Sequence, residues 1–139
     1  MRGDERVVET ELRVRYSETD RMGIVYHGAY VSWFEVARTE YCRAAGFPYR
    51  RMEDDGLLIL VTRVECVYRR PARYDDRIFV RARVTDLVSR GLAFAYEVVD
   101  ENGERLADGA TRHVFADVAG RPARAPEEVV DALERFRNA

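Results

Sequence analysis

The sequence contains no lysine: all 23 of its basic residues are arginine. Chemistry that runs through a lysine Schiff base is therefore excluded. Arginine forks suit phosphates and carboxylates, so a phosphorylated small ligand stays among the candidates, although biased codon usage gives the same count. Cysteine is scarce as well. Cys42 and Cys66 are too few for a disulfide framework, and they are expected to stay reduced and to pack as small apolar residues. The two histidines, His27 and His113, stand 86 residues apart. Neither has a second His, Cys or carboxylate at a metal-ligand spacing, so no metal is expected. No apolar run approaches the roughly 18 residues of a membrane span. The N-terminal MRGDERVVET lacks the apolar core of a signal peptide, which makes the cytoplasm the expected location. GxSxG, the Walker phosphate loop and GxGxxG are all missing. A net charge of −2 gives no general attraction for nucleic acid. The Arg-Arg pairs at 50–51 and 69–70 are diluted by acidic neighbours and read as solvated surface.

What is present points to one compact domain over residues 1–139. That length supports a real core but not two ordinary domains. Hydrophobic residues make up 47% and charged residues 35%, as in soluble globular proteins. Val7 to Tyr16 alternates, with Val8, Thr10, Leu12, Val14 and Tyr16 on one side, which predicts a half-buried strand. From Tyr30 the period changes. Tyr30, Trp33, Phe34, Ala37, Tyr41, Ala44 and Ala45 fall at helical spacing, while Glu35, Arg38, Thr39 and Arg43 occupy other faces. Gly46 and Pro48 end that helix, which spans about 16 residues and roughly 24 Å. Met52 to Gly56 reads as a polar connection. Extended patterns follow at Leu60–Tyr68, Ile78–Val84, Leu92–Val99 and Arg105–Ala116, with a hairpin turn at Asp100-Glu-Asn-Gly103. Pro126 leads a short C-terminal helix, EEVVDALERF, with acidic residues in its first turn. One long helix among mainly consecutive strands is not the rhythm of a doubly wound sheet. It predicts an α+β fold with a mainly antiparallel sheet of about five strands around the helix.

The chemistry-bearing segment is YSETDRMGIVYHGAY, residues 16–30. Asp20 follows a strand and shortly precedes the long helix, whose N-terminus presents unpaired N–H groups and the positive end of its dipole. Such N–H groups can hold the oxyanion formed when a carbonyl is attacked, and a nearby carboxylate can act as nucleophile or as general base on water. Gly23 lets the loop fold tightly, and Gly28 leaves the backbone open to a ligand. Spacing alone leaves the alternatives open. On spacing alone Asp20 is first an ordinary turn or cap residue, Tyr26 and Tyr30 are more often core than site, and Glu35 is most simply a flank partner of Arg38 or Thr39.

Thr19-Asp20-Arg21-Met22-Gly23-Ile24-Val25-Tyr26-His27-Gly28-Ala29-Tyr30 closely resembles the hotdog-fold acyl-CoA thioesterases of the 4-hydroxybenzoyl-CoA thioesterase class. Within that class it is most similar to the bacterial Tol–Pal-associated branch. The resemblance continues through Phe34-Glu35-Val36-Ala37-Arg38 and Tyr68-Arg69-Arg70-Pro71-Ala72-Arg73-Tyr74-Asp75-Asp76, and weakly at Arg90-Gly91 and Arg121-Pro122. It implies a central helix wrapped by an antiparallel sheet, homodimers paired edge to edge, often homotetramers, and a site between subunits. It makes Asp20 the catalytic carboxylate and gives the His27 backbone N–H the thioester carbonyl, with Tyr26, Gly23 and Gly28 beside the substrate. Glu35 matches a family glutamate as a supporting residue. Position 18 departs as Glu where relatives often have Asp, and His27 replaces an aromatic residue, which favours aliphatic or broad acyl groups. Ser89, Arg90, Arg121 and Arg124 are candidates for the phosphates of coenzyme A. Coenzyme A enters as part of the substrate, with no separate cofactor expected. An acyl carrier protein thioester is an alternative substrate, since carrier proteins are generally acidic. A hotdog module that binds acyl-CoA or a partner without cleavage is a second alternative.

Overall fold

The computed structural model describes residues 5–139. Residues 1–4, part of the stretch inspected above for a signal peptide, lie outside the described residues. Five strands form an antiparallel sheet in the order β1-β3-β4-β5-β2. They are β1 (Val8–Arg13), β2 (Leu58–Tyr68), β3 (Arg77–Val88), β4 (Gly91–Asp100) and β5 (Arg105–Ala116). Helix α1 (Ala29–Ala44) follows β1 in the chain, α2 (Tyr49–Asp54) precedes β2, and α3 (Glu127–Asn138) closes the chain. With α1 packed against β1, β2 and β3, this is the expected α+β hotdog arrangement. No helix among the described residues is long and apolar enough to cross a membrane.

Period decides which faces are buried. β3 buries Ile78, Val80, Ala82 and Val84 at every second residue, and α1 buries Tyr30, Trp33, Phe34, Ala37, Tyr41 and Cys42 at helical spacing. Each fully buried large side chain contributes about 1.5–3 kcal/mol relative to exposure. α1 runs for 16 residues, as its pattern predicts. It stops in a Schellman motif, in which Phe47 N–H donates to Cys42 C=O (3.0 Å) and Gly46 N–H to Arg43 C=O (3.1 Å). Gly46 supplies the positive φ of 96° that this turn requires.

The core is aromatic. Phe34 of α1 stacks on Tyr96 of β4, with centroids 4.4 Å apart and planes 9° from parallel. Tyr41 meets Phe94 and Phe136 edge to face, which ties α3 to α1. The Phe34 ring reaches the backbone of β5 at Gly109, where any Cβ would collide with it.

Three local readings are corrected. The connection around Met52 contains α2, whose single buried residue is Met52, too little to set a period. Arg38 is buried rather than on an outward face. Its Nε donates to the Tyr49 hydroxyl of α2 (3.1 Å) and its Nη1 to the Tyr96 hydroxyl (3.3 Å). Tyr96 and Thr111 share a 2.7 Å hydrogen bond, and Thr111 meets His113 Nε2 at 2.8 Å, so a polar chain crosses the core. Burial, with the Arg38 charge nearby, pushes His113 down to about 3, so it is neutral there. Finally, β2 alternates in sequence yet is exposed along most of its length, because it pairs with β5 alone and forms a sheet edge. Leu60, Val61, Val64, Val67 and Tyr68 all face solvent in the single chain.

Candidate active site

The loop before α1 is held from three directions. Glu18, 7% exposed, ends a short 3-10 turn at Tyr16–Glu18, where the alternation had extended the strand to Tyr16. Its carboxylate accepts the Arg15 N–H (2.8 Å) and the Trp33 indole N–H (3.0 Å). Burial opposes its charge, but the Arg15 and Trp33 donors outweigh burial and hold it below the usual carboxylate range. Its C=O accepts Tyr26 N–H at 3.0 Å. From the other side, the Ala72 C=O accepts Val25 N–H at 2.9 Å, and Ala72 is fully buried. The Pro71-Ala72-Arg73-Tyr74-Asp75-Asp76 stretch thus buttresses the loop. Arg73 N–H donates to the Asp76 carboxylate, and Val14 N–H donates to the Asp76 C=O, both at 2.9 Å.

Within this frame Asp20 forms a tight turn. Its Oδ1 accepts Met22 N–H, its C=O accepts Gly23 N–H and its N–H donates to Ile24 C=O, each at 2.9 Å. Gly23 has φ of +80° and open space around it, so backbone conformation rather than crowding requires glycine. Among the described residues, Asp20 Oδ2 has no hydrogen-bonding partner.

Asp20 and His27 line one cavity of about 330 Å³ together with Met22, Ile24, Val25, Tyr30 and the Tyr68-Arg69-Arg70-Pro71 segment. The turn from Tyr26 to Ala29 opens α1, with Ala29 N–H donating to Tyr26 C=O at 3.1 Å. Among the described residues, the N–H groups of His27 and Gly28 have no acceptor. The His27 C=O accepts the Tyr68 hydroxyl at 2.8 Å. Asp20 and His27, the residue that carries the first unpaired N–H at the helix start, therefore lie at one opening.

Other candidates fall differently. Tyr26 is half-exposed and stands edge-on to the His27 ring, at 6.2 Å. A Cβ on Gly28 would come within 2.8 Å of the Tyr26 ring, so Tyr26 itself crowds that position. Glu35 is exposed; its C=O takes the Thr39 hydroxyl (2.8 Å), while Arg38 points into the core. Arg69 and Arg70 are exposed at the cavity rim and pair with Asp108 and Glu104.

Ser89, Arg90 and Arg124 gather at the β3–β4 hairpin, with Arg124 Nη1 donating to Ser89 Oγ at 3.1 Å, while Arg121 pairs with Asp117 at 3.2 Å. Within one chain this group is distant from Asp20. Gly91 pairs with Val114, whereas Tyr68 at the cavity pairs with Ala107, and that stretch of β5 covers about 23 Å. Tyr68 and Ile24 do not stand out as site residues in the sequence, and Tyr30, which lines the cavity, reads there as core. Tyr68 belongs to the Tyr68–Asp76 stretch, whose register places it opposite the helix start.

Comparison with known proteins places the fold in a family. The thioesterase-like superfamily matches residues 14–133. The acyl-CoA thioester hydrolase YbgC of Escherichia coli is 29% identical over 120 residues, 86% of this chain and 90% of that one. A hypothetical protein of Thermus thermophilus superposes with a TM-score of 0.89 at 41% identity, covering 93% of this chain and 98% of that one. The DHNA-CoA thioesterase of Staphylococcus aureus also gives 0.89, at 32% identity, covering 93% and 89%. The chain belongs to the thioesterase-like superfamily of hotdog-fold thioester hydrolases.

Proposed function

We propose that this protein hydrolyses acyl-CoA thioesters to the free acid and coenzyme A, as a member of the 4-hydroxybenzoyl-CoA thioesterase class nearest its Tol–Pal-associated branch. The observation that carries this reading is the free Asp20 oxygen and the acceptor-less His27 N–H at one cavity. Asp20 attacks the thioester carbonyl carbon, or takes the proton of the water that does, from the same position. The N–H groups at the start of α1 hold the developing oxyanion, which is aided by the helix dipole. The thiolate of coenzyme A then leaves. Where Asp20 is the nucleophile, water hydrolyses the acyl anhydride left on it, releasing the free acid and restoring the carboxylate. No cofactor beyond the substrate takes part. The largely apolar cavity wall, with Met22, Ile24, Val25 and Tyr30, suits an acyl group.

The working unit is a homodimer, or a homotetramer built from it, acting in the cytoplasm. The long apolar edge of β2 favours pairing with a second copy, because an open edge of this kind invites strand addition. Antiparallel pairing of two β2 strands lays the Leu58 end of one beside the Tyr68 end of the other. It would bring the partner's Ser89, Arg90 and Arg124 toward the Asp20 cavity, where arginine forks suit the phosphates of coenzyme A.

Free-thiol release across a panel of acyl-CoAs, and from the same acyl groups on acyl carrier protein, tests the reading. The expected result is faster release from coenzyme A. Preference for the carrier would shift the substrate class, and tight acyl-CoA binding without thiol release would make the protein a binding module. A monomer by light scattering at micromolar concentration contradicts the shared site.

A further inference from the structure

Two N–H groups are available at the start of α1, and they belong to the two peptide units on either side of the His27 Cα. The direction of each depends on its peptide plane. The Tyr26–His27 plane is held because its C=O accepts Ala29 N–H at 3.1 Å. The His27–Gly28 plane has weaker help from the helix itself, since Tyr30 N–H reaches the His27 C=O only at 3.4 Å. The short bond on that carbonyl comes from 41 residues away, where the Tyr68 hydroxyl donates at 2.8 Å. A carbonyl oxygen only accepts, so Tyr68 is the donor.

Tyr68 is itself braced. Its ring meets Tyr30 edge to face at 5.0 Å, and Tyr30 lies against Trp33 at 4.6 Å. Trp33 in turn donates to Glu18, whose C=O holds Tyr26 N–H. Loss of solvent at the hydroxyl, with the neighbouring Cys66 thiol, pushes Tyr68 up to about 12, so it keeps its proton through the working range. Tyr68 is also the last residue of β2, the open edge strand.

We propose that Tyr68 is a positioning residue for thioester hydrolysis: its hydroxyl fixes the His27–Gly28 peptide, and so the direction of the Gly28 N–H, which joins the His27 N–H in holding the oxyanion at the start of α1. This rests on the thioesterase reading of the same cavity. Donation to the His27 C=O also polarises that peptide and strengthens its N–H as a donor, because hydrogen bonds in a chain reinforce one another. Tyr68 acts through the backbone and transfers no proton, so its contribution is uniform across the pH range in which the phenol stays neutral.

Tyr68→Phe keeps the ring and removes the donor. With a good acyl-CoA substrate, kcat falls about three- to ten-fold, the worth of one hydrogen bond, while KM stays within about two-fold. The ratio of wild-type to variant kcat is constant from pH 6 to pH 9. In the amide NMR spectrum the His27 and Gly28 resonances shift, and the wild-type His27 carbonyl carbon shows the downfield position of a strong acceptor. Undiminished kcat in Tyr68→Phe, alongside active wild type and inactive Asp20→Asn, overturns the role of Tyr68 and leaves the thioesterase reading intact. No thiol release from any acyl-CoA by wild type overturns that reading first. If Tyr68→Phe fails to fold, the wild-type carbonyl measurement decides, and a His27 carbonyl at the position of a free acceptor refutes the proposal.

Discussion

Gly109→Ala tests how closely the central helix rides on the sheet. A glycine inside a strand ordinarily weakens it by about 0.5–1 kcal/mol relative to alanine, so in open space this substitution would stabilise. Here the added Cβ runs into the Phe34 ring. Phe34 has no exposed surface and lies flat on Tyr96 at 4.4 Å, and Tyr96 is tied to both Arg38 and Thr111. The ring has nowhere to retreat without breaking that stack. Overpacking of this kind costs about 1–3 kcal/mol, and the rigidity of the stack puts the cost at about 2–3 kcal/mol. For a chain of this length the melting temperature falls by about 7–10 °C. Calorimetry at fixed protein concentration measures it. Phe34→Leu costs about 1–2 kcal/mol alone by opening space. Combined with Gly109→Ala it relieves the collision, leaving the double variant at least about 1 kcal/mol more stable than the sum of the singles. A Gly109→Ala variant as stable as wild type, or strict additivity, refutes the packing described for α1.

Two further outcomes concern charge. His113 is neutral in the core at about 3 and returns to about 6.5 when unfolded, so the unfolded state gains the proton first as pH falls. Stability is full above about pH 6.5 and declines below it, by about 2 kcal/mol at pH 5 relative to pH 8, and His113→Phe flattens that slope in urea titrations. Glu18, held below the usual range, acts in the same direction but only under about pH 4.5. Glu18→Gln weakens the bonds to Arg15 and Trp33, costing about 1–2 kcal/mol by denaturant melts and lowering kcat through the loop.

Much of this architecture is legible in the sequence because period and burial coincide. The period-two run of β3 and the apolar stripe of α1 each face one side of a single core, so a pattern of side chains is also a map of faces. Arg38 breaks the correspondence: a guanidinium reads as surface until Tyr49 and Tyr96 are known to meet it. β2 breaks it in the other direction, since its apolar residues lie exposed on an open sheet edge rather than in this chain's core. The loop from Asp20 to Gly28 is legible through its glycine and its position before the helix. Tyr68 is not, because its bond to His27 spans 41 residues and exists only through the pairing of β2.

The central claim is that Asp20 performs the chemistry, and single-turnover thiol release by Asp20→Asn measures it most directly. The amide keeps the Oδ1 acceptor for Met22 N–H and the shape of the turn, so the fold and KM are preserved while the carboxylate charge is lost. The account predicts a fall in kcat of at least about 100-fold with a melting temperature near that of wild type. Turnover within a few-fold of wild type would contradict it.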